Sequence, residues 1–179
     1  MTDNDTAHSG IRGFTALYEE NMTYVFRYIN YRVANRNEAE DLTAVVFEKA
    51  LAAFRKYDRR KAAPRTWLLT IARNAVTDYF RKSSKRNTIP LENALGIESA
   101  DPSPQEQTER REEHKQLHIC LAALPQREQE IVSLKFGAEL NNRQIASVLS
   151  LSENNVGTIL FRAMSKLRNC FEDASYGKG

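Results

Sequence analysis

Residues 141–167, NNRQIASVLSLSENNVGTILFRAMSKL, form the most specific local pattern in the chain. Asn141 followed by Gln144 has the residue types and spacing of a helix capping box, and Ser152 is suited to cap a second helix. Ala146 supplies the small side chain that two short helices need where their backbones cross. The apolar residues expected to fill the angle between these helices are Leu149, Leu151 and Val156. The stretch therefore predicts a helix-turn-helix.

In a DNA-binding helix-turn-helix, the second helix enters the major groove with its N-terminal residues leading. The residues expected at the base edges are Glu153, Asn154, Asn155, Gly157 and Thr158, with Arg162 and Lys166 for phosphates or base edges. The same motif also occurs as plain packing in helical bundles. Position by position, the sequence favours DNA binding.

Outside this motif, apolar residues recur every three or four positions, and no run of alternating β-branched residues is present. The predicted N-terminal helices are 14–33, 38–54 and 64–81. Asn37 is the predicted N-cap of the second helix. Helix-breaking residues follow Arg86. The pattern predicts an all-α chain of two small helical domains joined by a flexible linker, the second containing the helix-turn-helix. The predicted first domain, linker and second domain are 1–82, 83–112 and 113–179.

The net charge of +3 conceals an uneven distribution. Residues 49–86 contain twelve basic and two acidic residues, whereas residues 92–113 contain seven acidic and two basic ones. The aromatic residues within the basic segment are Phe54, Tyr57, Trp67, Tyr79 and Phe80. Basic residues interleaved with aromatic ones suit single-stranded nucleic acid, because cations follow phosphates and rings stack on unpaired bases. Trp67 lies on an apolar row, so we expect it in the core.

Several other classes of protein are excluded or disfavoured. A chain of 179 residues with two cysteines is not a disulfide scaffold. The polar N-terminus lacks an apolar stretch, so we expect a cytoplasmic protein without membrane insertion, in which Cys120 and Cys170 are reduced. No phosphate-binding loop, nucleophile elbow or carboxylate pair with a supporting histidine occurs, so we expect neither catalysis nor a cofactor. His114, His118 and Cys120 suggest a metal site, but a surface helix is the favoured interpretation because a fourth ligand is missing.

Two parts of the sequence resemble bacterial sigma factors. The first resembles their second conserved region through AEDL at 39–42, Phe47, Ala50, WLLTIARN at 67–74, Asp78 and Arg81. The second resembles their fourth region through Leu124, Pro125, Val132, Leu134, residues 144–146, Leu151, Ser152, Val156, Arg162, Ala163, Leu167 and Arg168. The short linker indicates the two-domain class, the extracytoplasmic-function (ECF) sigma factors.

This resemblance implies a role for each surface. The first domain would dock on the β′ clamp helices of core RNA polymerase through Asp41, Leu42, Thr43, Phe47 and Lys49. It would also bind the melted minus-ten element, with one base flipped into a pocket, through Lys61, Arg65, Arg73, Asn74, Asp78 and Arg81. The second domain would read the minus-thirty-five duplex beside the β flap. An anti-sigma factor is a further candidate partner.

The chain departs from the family pattern at three places. Ala44 and Val45 replace a common Gln-Glu, and Ser150 replaces the usual glycine of the helix-turn-helix turn. Residues 156–159, VGTI, replace a common Val-Lys-Ser-Arg, which removes two cations from the recognition helix. We therefore expect a weaker electrostatic part of duplex binding. The alternative hypothesis is a dimeric helix-turn-helix regulator that acts without polymerase, but it leaves the first domain and the basic segment unexplained.

Overall fold

The computed structural model of the chain describes residues 3–33, 35–84 and 115–176. All regular secondary structure in these residues is helical. The N-terminal helices are α1 (Asp3–Val33), α2 (Arg36–Ala53) and α3 (Pro64–Ser84), with a 3-10 turn at Phe54–Lys56. The C-terminal helices are α4 (115–122), α5 (Gln126–Val132), α6 (Asn142–Leu149) and α7 (Glu153–Tyr176), and a π-helical segment, Ser133–Gly137, follows α5. The predicted linker and acidic block fall almost entirely outside the described residues.

Helices α1–α3 form what we call the N-terminal unit. Their facing stripes are fully buried at Ile29, Val46 and Leu68, one from each helix. The α2 helix begins two residues earlier than predicted because Asn35, not Asn37, is its N-cap. Asn35 has extended backbone angles, and its side chain accepts a hydrogen bond from the Glu38 amide at 3.2 Å, whereas residue 37 already lies within the helix.

Helices α4–α7 form the C-terminal unit, and its helix-turn-helix has the predicted caps. Asn141 and Gln144 make both hydrogen bonds of a capping box, each at 2.9 Å. The Ser152 hydroxyl accepts a hydrogen bond from the Asn155 amide at 3.2 Å, which caps α7. Val156 is fully buried beneath the turn. The local sequence thus determines where both helices of the motif begin.

The turn of the motif has a serine, Ser150, at a position that glycine usually occupies. Ser150 adopts φ 54° and ψ 47° in the left-handed region, and its amide bonds the Ala146 carbonyl to end α6. Because a Cβ atom is unfavourable there, Ser150→Gly is expected to raise the free energy of unfolding by about 0.5–1 kcal/mol, as measured by urea denaturation. The control is Ser147→Gly in the exposed interior of α6, which should lose about 0.5 kcal/mol. Equal losses in both variants would contradict this account.

The two cysteines differ from the expectation. Cys120 of α4 and Cys170 of α7 form a disulfide, where reduced thiols were expected. The expectation of reduced thiols came from the predicted cytoplasmic location. In the folded chain, packing brings both residues into one small apolar cluster, where Cys120 is 1% exposed. The bond joins the first and last helices of the C-terminal unit.

The two units pack directly against each other. Apolar residues of α5, the π-helical segment and α6 belong to the same buried cluster as the core of α1–α3. Leu134 and Ile145 are both fully buried in that cluster. The relative placement of the units is therefore defined by a shared core as well as by the polar contacts described below.

Candidate functional site

The predicted duplex-reading residues share the exposed face at the start of α7. Glu153, Asn154, Asn155 and Thr158 are all exposed, and the Thr158 hydroxyl donates a hydrogen bond to the Asn154 carbonyl at 3.0 Å. Gly157 lies on the flank, where an added Cβ would be 3.8 Å from the Asn142 amide nitrogen, an ordinary contact. The face is therefore polar and exposed, with α6 at its flank.

The two cations of this set lie further along α7. Arg162 is exposed, one turn beyond Thr158. The Lys166 ammonium contacts the Glu128 carboxylate of α5 at 2.7 Å, and the Glu128 side chain is only 12% exposed. The structure thus brings the whole predicted set onto one helix, with Lys166 already held by an intramolecular ion pair.

The basic loop before α3 has a defined backbone. Arg60 donates hydrogen bonds to Asp58 from its amide and its guanidinium at 2.9–3.0 Å, and these bonds lower the pKa of the Asp58 carboxyl below its ordinary value. The Tyr57 hydroxyl donates to the Ala62 carbonyl at 2.8 Å. Lys61 projects from this loop as an exposed cation. The loop therefore holds its basic side chains on a fixed turn.

Arg65 stands in the first turn of α3 and is half-buried. Its guanidinium lies 3.5 Å from the centroid of the Tyr24 ring on α1, a cation–π contact. This contact holds the guanidinium against α1. The two N-terminal members of the predicted minus-ten set are thus four residues apart in the chain, Lys61 in the loop and Arg65 at the start of α3.

The other four members of that set lie on α3. Asn74 is exposed, and Asp78 and Arg81 pair with each other at 3.0 Å on the same side of the helix. Arg73 points elsewhere, because its Nε donates to the Glu130 carboxylate of α5 at 2.9 Å. The structure therefore places Asn74, Asp78 and Arg81 on one side of α3, leaves Lys61 and Arg65 at its N-terminal end, and engages Arg73 with the C-terminal unit.

The aromatic residues of the basic segment face inward rather than outward. Trp67 stacks on Tyr57 with ring centroids 4.4 Å apart, and Tyr57 stacks on Phe54 at 6.2 Å. All three are half-buried and pack on the core, as expected for Trp67. Their role in this structure is to support the basic loop from beneath.

The predicted polymerase-docking residues divide into two groups. Asp41 and Lys49 are exposed on α2, and Leu42 is half-buried beside them. Thr43 and Phe47 are buried instead: the Thr43 hydroxyl donates to the Ala39 carbonyl at 2.6 Å, and Phe47 packs edge-on against Tyr18 at 4.7 Å. These two residues face the core, so they support the helix surface from inside.

Sequence reasoning did not select Val45, the exposed residue midway between Asp41 and Lys49. It is 38% exposed, and the four-residue spacing places all three on one stripe of α2. The sequence contained one signal for it, because Val45 replaces a residue that is common at this position in the family. We call this row, which contains two of the residues predicted to dock on polymerase, the docking stripe. It has an apolar centre flanked by one acidic and one basic residue.

The described residues offer no group of three or more His, Cys, Asp or Glu side chains that could hold a metal ion. His114 lies outside those residues, His118 packs near the Tyr31 ring with centroids 6.4 Å apart, and Cys120 is in the disulfide. Among the described helices, none combines the length and apolar character needed to span a membrane.

Comparison with known proteins gives the family. Residues 17–86 match Sigma-70 region 2, and residues 120–169 match Sigma-70 region 4. The sequence is 32% identical over 165 residues to the ECF RNA polymerase sigma factor SigM of Bacillus subtilis, covering 91% of this chain and 94% of SigM. The chain belongs to the ECF sigma factor family. Its helix-turn-helix falls within the region 4 match, and its basic loop falls within the region 2 match.

Two other sigma factors are similar, one over less of its length and one in fold alone. BldN of Streptomyces coelicolor is 31% identical over 160 residues, and the match covers 89% of this chain but only 61% of BldN. The sigma factor RpoE of Bartonella quintana, solved in complex with the anti-sigma factor NepR, superposes with a TM-score of 0.69. That match covers 90% of this chain and 98% of RpoE at 18% identity, so what it shows is a shared fold.

Proposed function

We propose that this chain is an alternative sigma factor that binds core RNA polymerase and directs promoter-specific transcription initiation. The observation that carries the proposal is the presence of regions 2 and 4 in family order on one chain, next to exposed basic and helix-turn-helix surfaces. It acts by binding rather than by catalysis, and in the cytoplasm, where polymerase and promoter DNA are located.

The division of labour follows the predicted boundaries. Residues 1–82 dock on the β′ clamp helices and bind the melted minus-ten strand, residues 83–112 connect, and residues 113–179 read the minus-thirty-five duplex beside the β flap. Lys61 and Arg65 neutralise phosphates of the opened strand, and Asn74 and Asp78 offer hydrogen-bonding groups to base edges. A flipped base costs a few kcal/mol, which these contacts offset.

Duplex recognition rests on polar rather than cationic side chains. Asn154 and Asn155 carry the amide groups that suit adenine in the major groove, and Gly157 permits close approach of the duplex. Arg162 supplies the nearest phosphate contact. With fewer cations on the recognition helix, polymerase docking contributes a larger share of promoter affinity.

An anti-sigma factor is also proposed as a partner. The support is the fold shared with the Bartonella quintana sigma factor, which was solved in complex with such a protein. Co-expression with candidate inhibitors and loss of transcription in vitro would test this partner separately from promoter recognition.

The docking stripe provides the sharpest test of polymerase binding. Asp41→Lys reverses an exposed charge without touching the core, so we expect about tenfold weaker binding to core RNA polymerase with unchanged thermal unfolding. Fluorescence anisotropy of labelled protein titrated with core enzyme measures it. The control is Glu19→Lys, the same reversal on an exposed position of α1.

Transcription start sites mapped after overexpression would supply a cognate promoter for run-off assays with purified core enzyme. A chain that binds no core enzyme, forms dimers and binds duplex DNA tightly alone would overturn the sigma-factor proposal and support the regulator hypothesis.

A further inference from the structure

Phe161 of α7 is the most exposed large apolar residue in the part of the chain that the structure describes. It is 77% exposed, and the next highest value is 53%, for Leu51. A single exposed apolar residue is ordinary on the surface of a protein, so exposure alone identifies no site. What distinguishes Phe161 is its position on the helix.

Phe161 lies on the same stripe of α7 as two of the predicted duplex-reading residues. A step of four residues joins Asn154 to Thr158, a step of three joins Thr158 to Phe161, and residues at these spacings share one face of a helix. Ala163, about half a helical turn away from this stripe, is fully buried. Phe161 therefore faces outward beside Thr158, away from the core of the C-terminal unit.

Thr158 presents its methyl group on this stripe. Its hydroxyl donates a hydrogen bond to the Asn154 carbonyl at 3.0 Å, so the hydroxyl is turned toward the helix backbone and its proton is already used. The γ-methyl group remains as the outer part of an exposed side chain. Gly157, on the flank, has no side chain that could cover it. The duplex-reading face thus has an apolar part, which we call the methyl-facing pair, Thr158 and Phe161.

The chemistry of this pair matches one feature of the major groove. Thymine is the base that presents a methyl group there, and the threonine methyl group and the phenylalanine ring are among the apolar groups that contact it. Helical side chains lean toward the N-terminus of their helix, so the Phe161 ring leans toward the end of α7 that enters the groove first. Contact between ring and methyl removes apolar surface of both from water, which is favourable.

We propose that Phe161 and Thr158 read the 5-methyl groups of thymine in the minus-thirty-five duplex. This role rests on the proposed reading of duplex DNA by α7, and it adds a second base to the adenine that suits Asn154 and Asn155. Adenine and thymine belong to the same base pair, so amide and methyl contacts together select A·T pairs. Apolar contacts release no counterions, so this selectivity persists at salt concentrations that weaken phosphate binding.

Deoxyuridine tests the proposal, because it lacks only the methyl group of thymidine. The full chain, with and without core RNA polymerase, selects duplexes from a random-sequence pool, and the selected duplex is then made with each thymidine replaced in turn by deoxyuridine. At a contacted position we expect about fourfold weaker binding, the effect of exposing one buried methyl-sized group. Fluorescence anisotropy at two salt concentrations measures it, and the ratio should be the same at both.

Phe161→Ala identifies the residue that makes the contact. The variant should bind the thymidine duplex about tenfold more weakly than wild type and should no longer distinguish it from the deoxyuridine duplex at the position that Phe161 contacts. Thermal unfolding should be unchanged, because the side chain is exposed. The control is Ile119→Ala, which removes an exposed apolar side chain from α4 and should keep the full discrimination.

Two variants of Thr158 separate its methyl group from its hydroxyl. Thr158→Ser keeps the hydroxyl that bonds the Asn154 carbonyl and removes the methyl group, whereas Thr158→Val keeps a methyl group at the same place and removes the hydroxyl. Discrimination between thymidine and deoxyuridine should fall in the serine variant and persist in the valine variant. The opposite order would show that the hydroxyl reads the base and would overturn the role of Thr158.

The outcomes also distinguish this proposal from the sigma-factor function. Equal binding of thymidine and deoxyuridine at every position, or full discrimination in Phe161→Ala, would overturn methyl reading. A Phe161→Ala variant that loses affinity for core enzyme or for a second copy of the chain, but not for the duplex, would overturn it as well. Methyl discrimination by a chain that binds no core enzyme would retain methyl reading and overturn the sigma-factor function alone.

Discussion

Reversing the charge of Lys61 and Arg65 together is expected to lower open-complex formation about 100-fold, while affinity for core RNA polymerase is unchanged. Lys61 is exposed on the basic loop, and Arg65 follows four residues later with its guanidinium over the Tyr24 ring. Both would contact phosphates of the melted strand, and acidic replacements would repel them. Potassium permanganate footprinting of the opened promoter measures the loss, and gel filtration with core enzyme measures docking.

Neutral variants distinguish charge from packing. Lys61→Gln with Arg65→Gln should cause a smaller loss than the double reversal, and the log–log salt slope of binding should fall by about 1.4 for two lost single-strand phosphate contacts. If the Tyr24 contact were the only contribution of Arg65, its Gln and Glu variants would be equally impaired. Equal losses in polymerase docking and promoter opening would contradict the proposed division between α2 and the basic loop.

The sequence was sufficient where short-range chemistry decides the structure. Asn141 with Gln144 and Ser152 are caps whose hydrogen bonds close within three residues, so their types and spacing determined both helix starts. Pro64 likewise opens α3 as predicted, because its fixed φ suits a first turn. Resemblance then supplied the family, which the matches to regions 2 and 4 confirm.

The sequence was insufficient where distant residues meet. Asn35 and Asn37 are equally good caps by type, and it is Asn35 that caps α2 in the folded chain. The partner of Arg73 lies 57 residues away, so no local pattern indicates Glu130. Cys120 and Cys170 are separated by 50 residues, and their pairing depends on how α4 packs on α7.

A resemblance to a family does not show which residues of a helix face the core and which face solvent. Five α2 positions were assigned to polymerase docking as a group, yet helix periodicity turns Thr43 and Phe47 toward α1 and Asp41 and Lys49 toward solvent. Phe47→Ala is therefore expected to act on stability, lowering the free energy of unfolding of the N-terminal unit by about 3–5 kcal/mol through the cavity left against Tyr18.

Val45→Ala is the matched variant, because Val45 lies two residues away on the exposed stripe. It should change the free energy of unfolding by less than about 0.5 kcal/mol while weakening the binding of core RNA polymerase. Thermal unfolding followed by circular dichroism, with core binding measured well below the midpoint, separates the two effects. A Phe47→Ala variant that unfolds at the wild-type temperature but fails to bind core enzyme would instead place Phe47 at the docking surface, which would require α2 to rotate when polymerase binds.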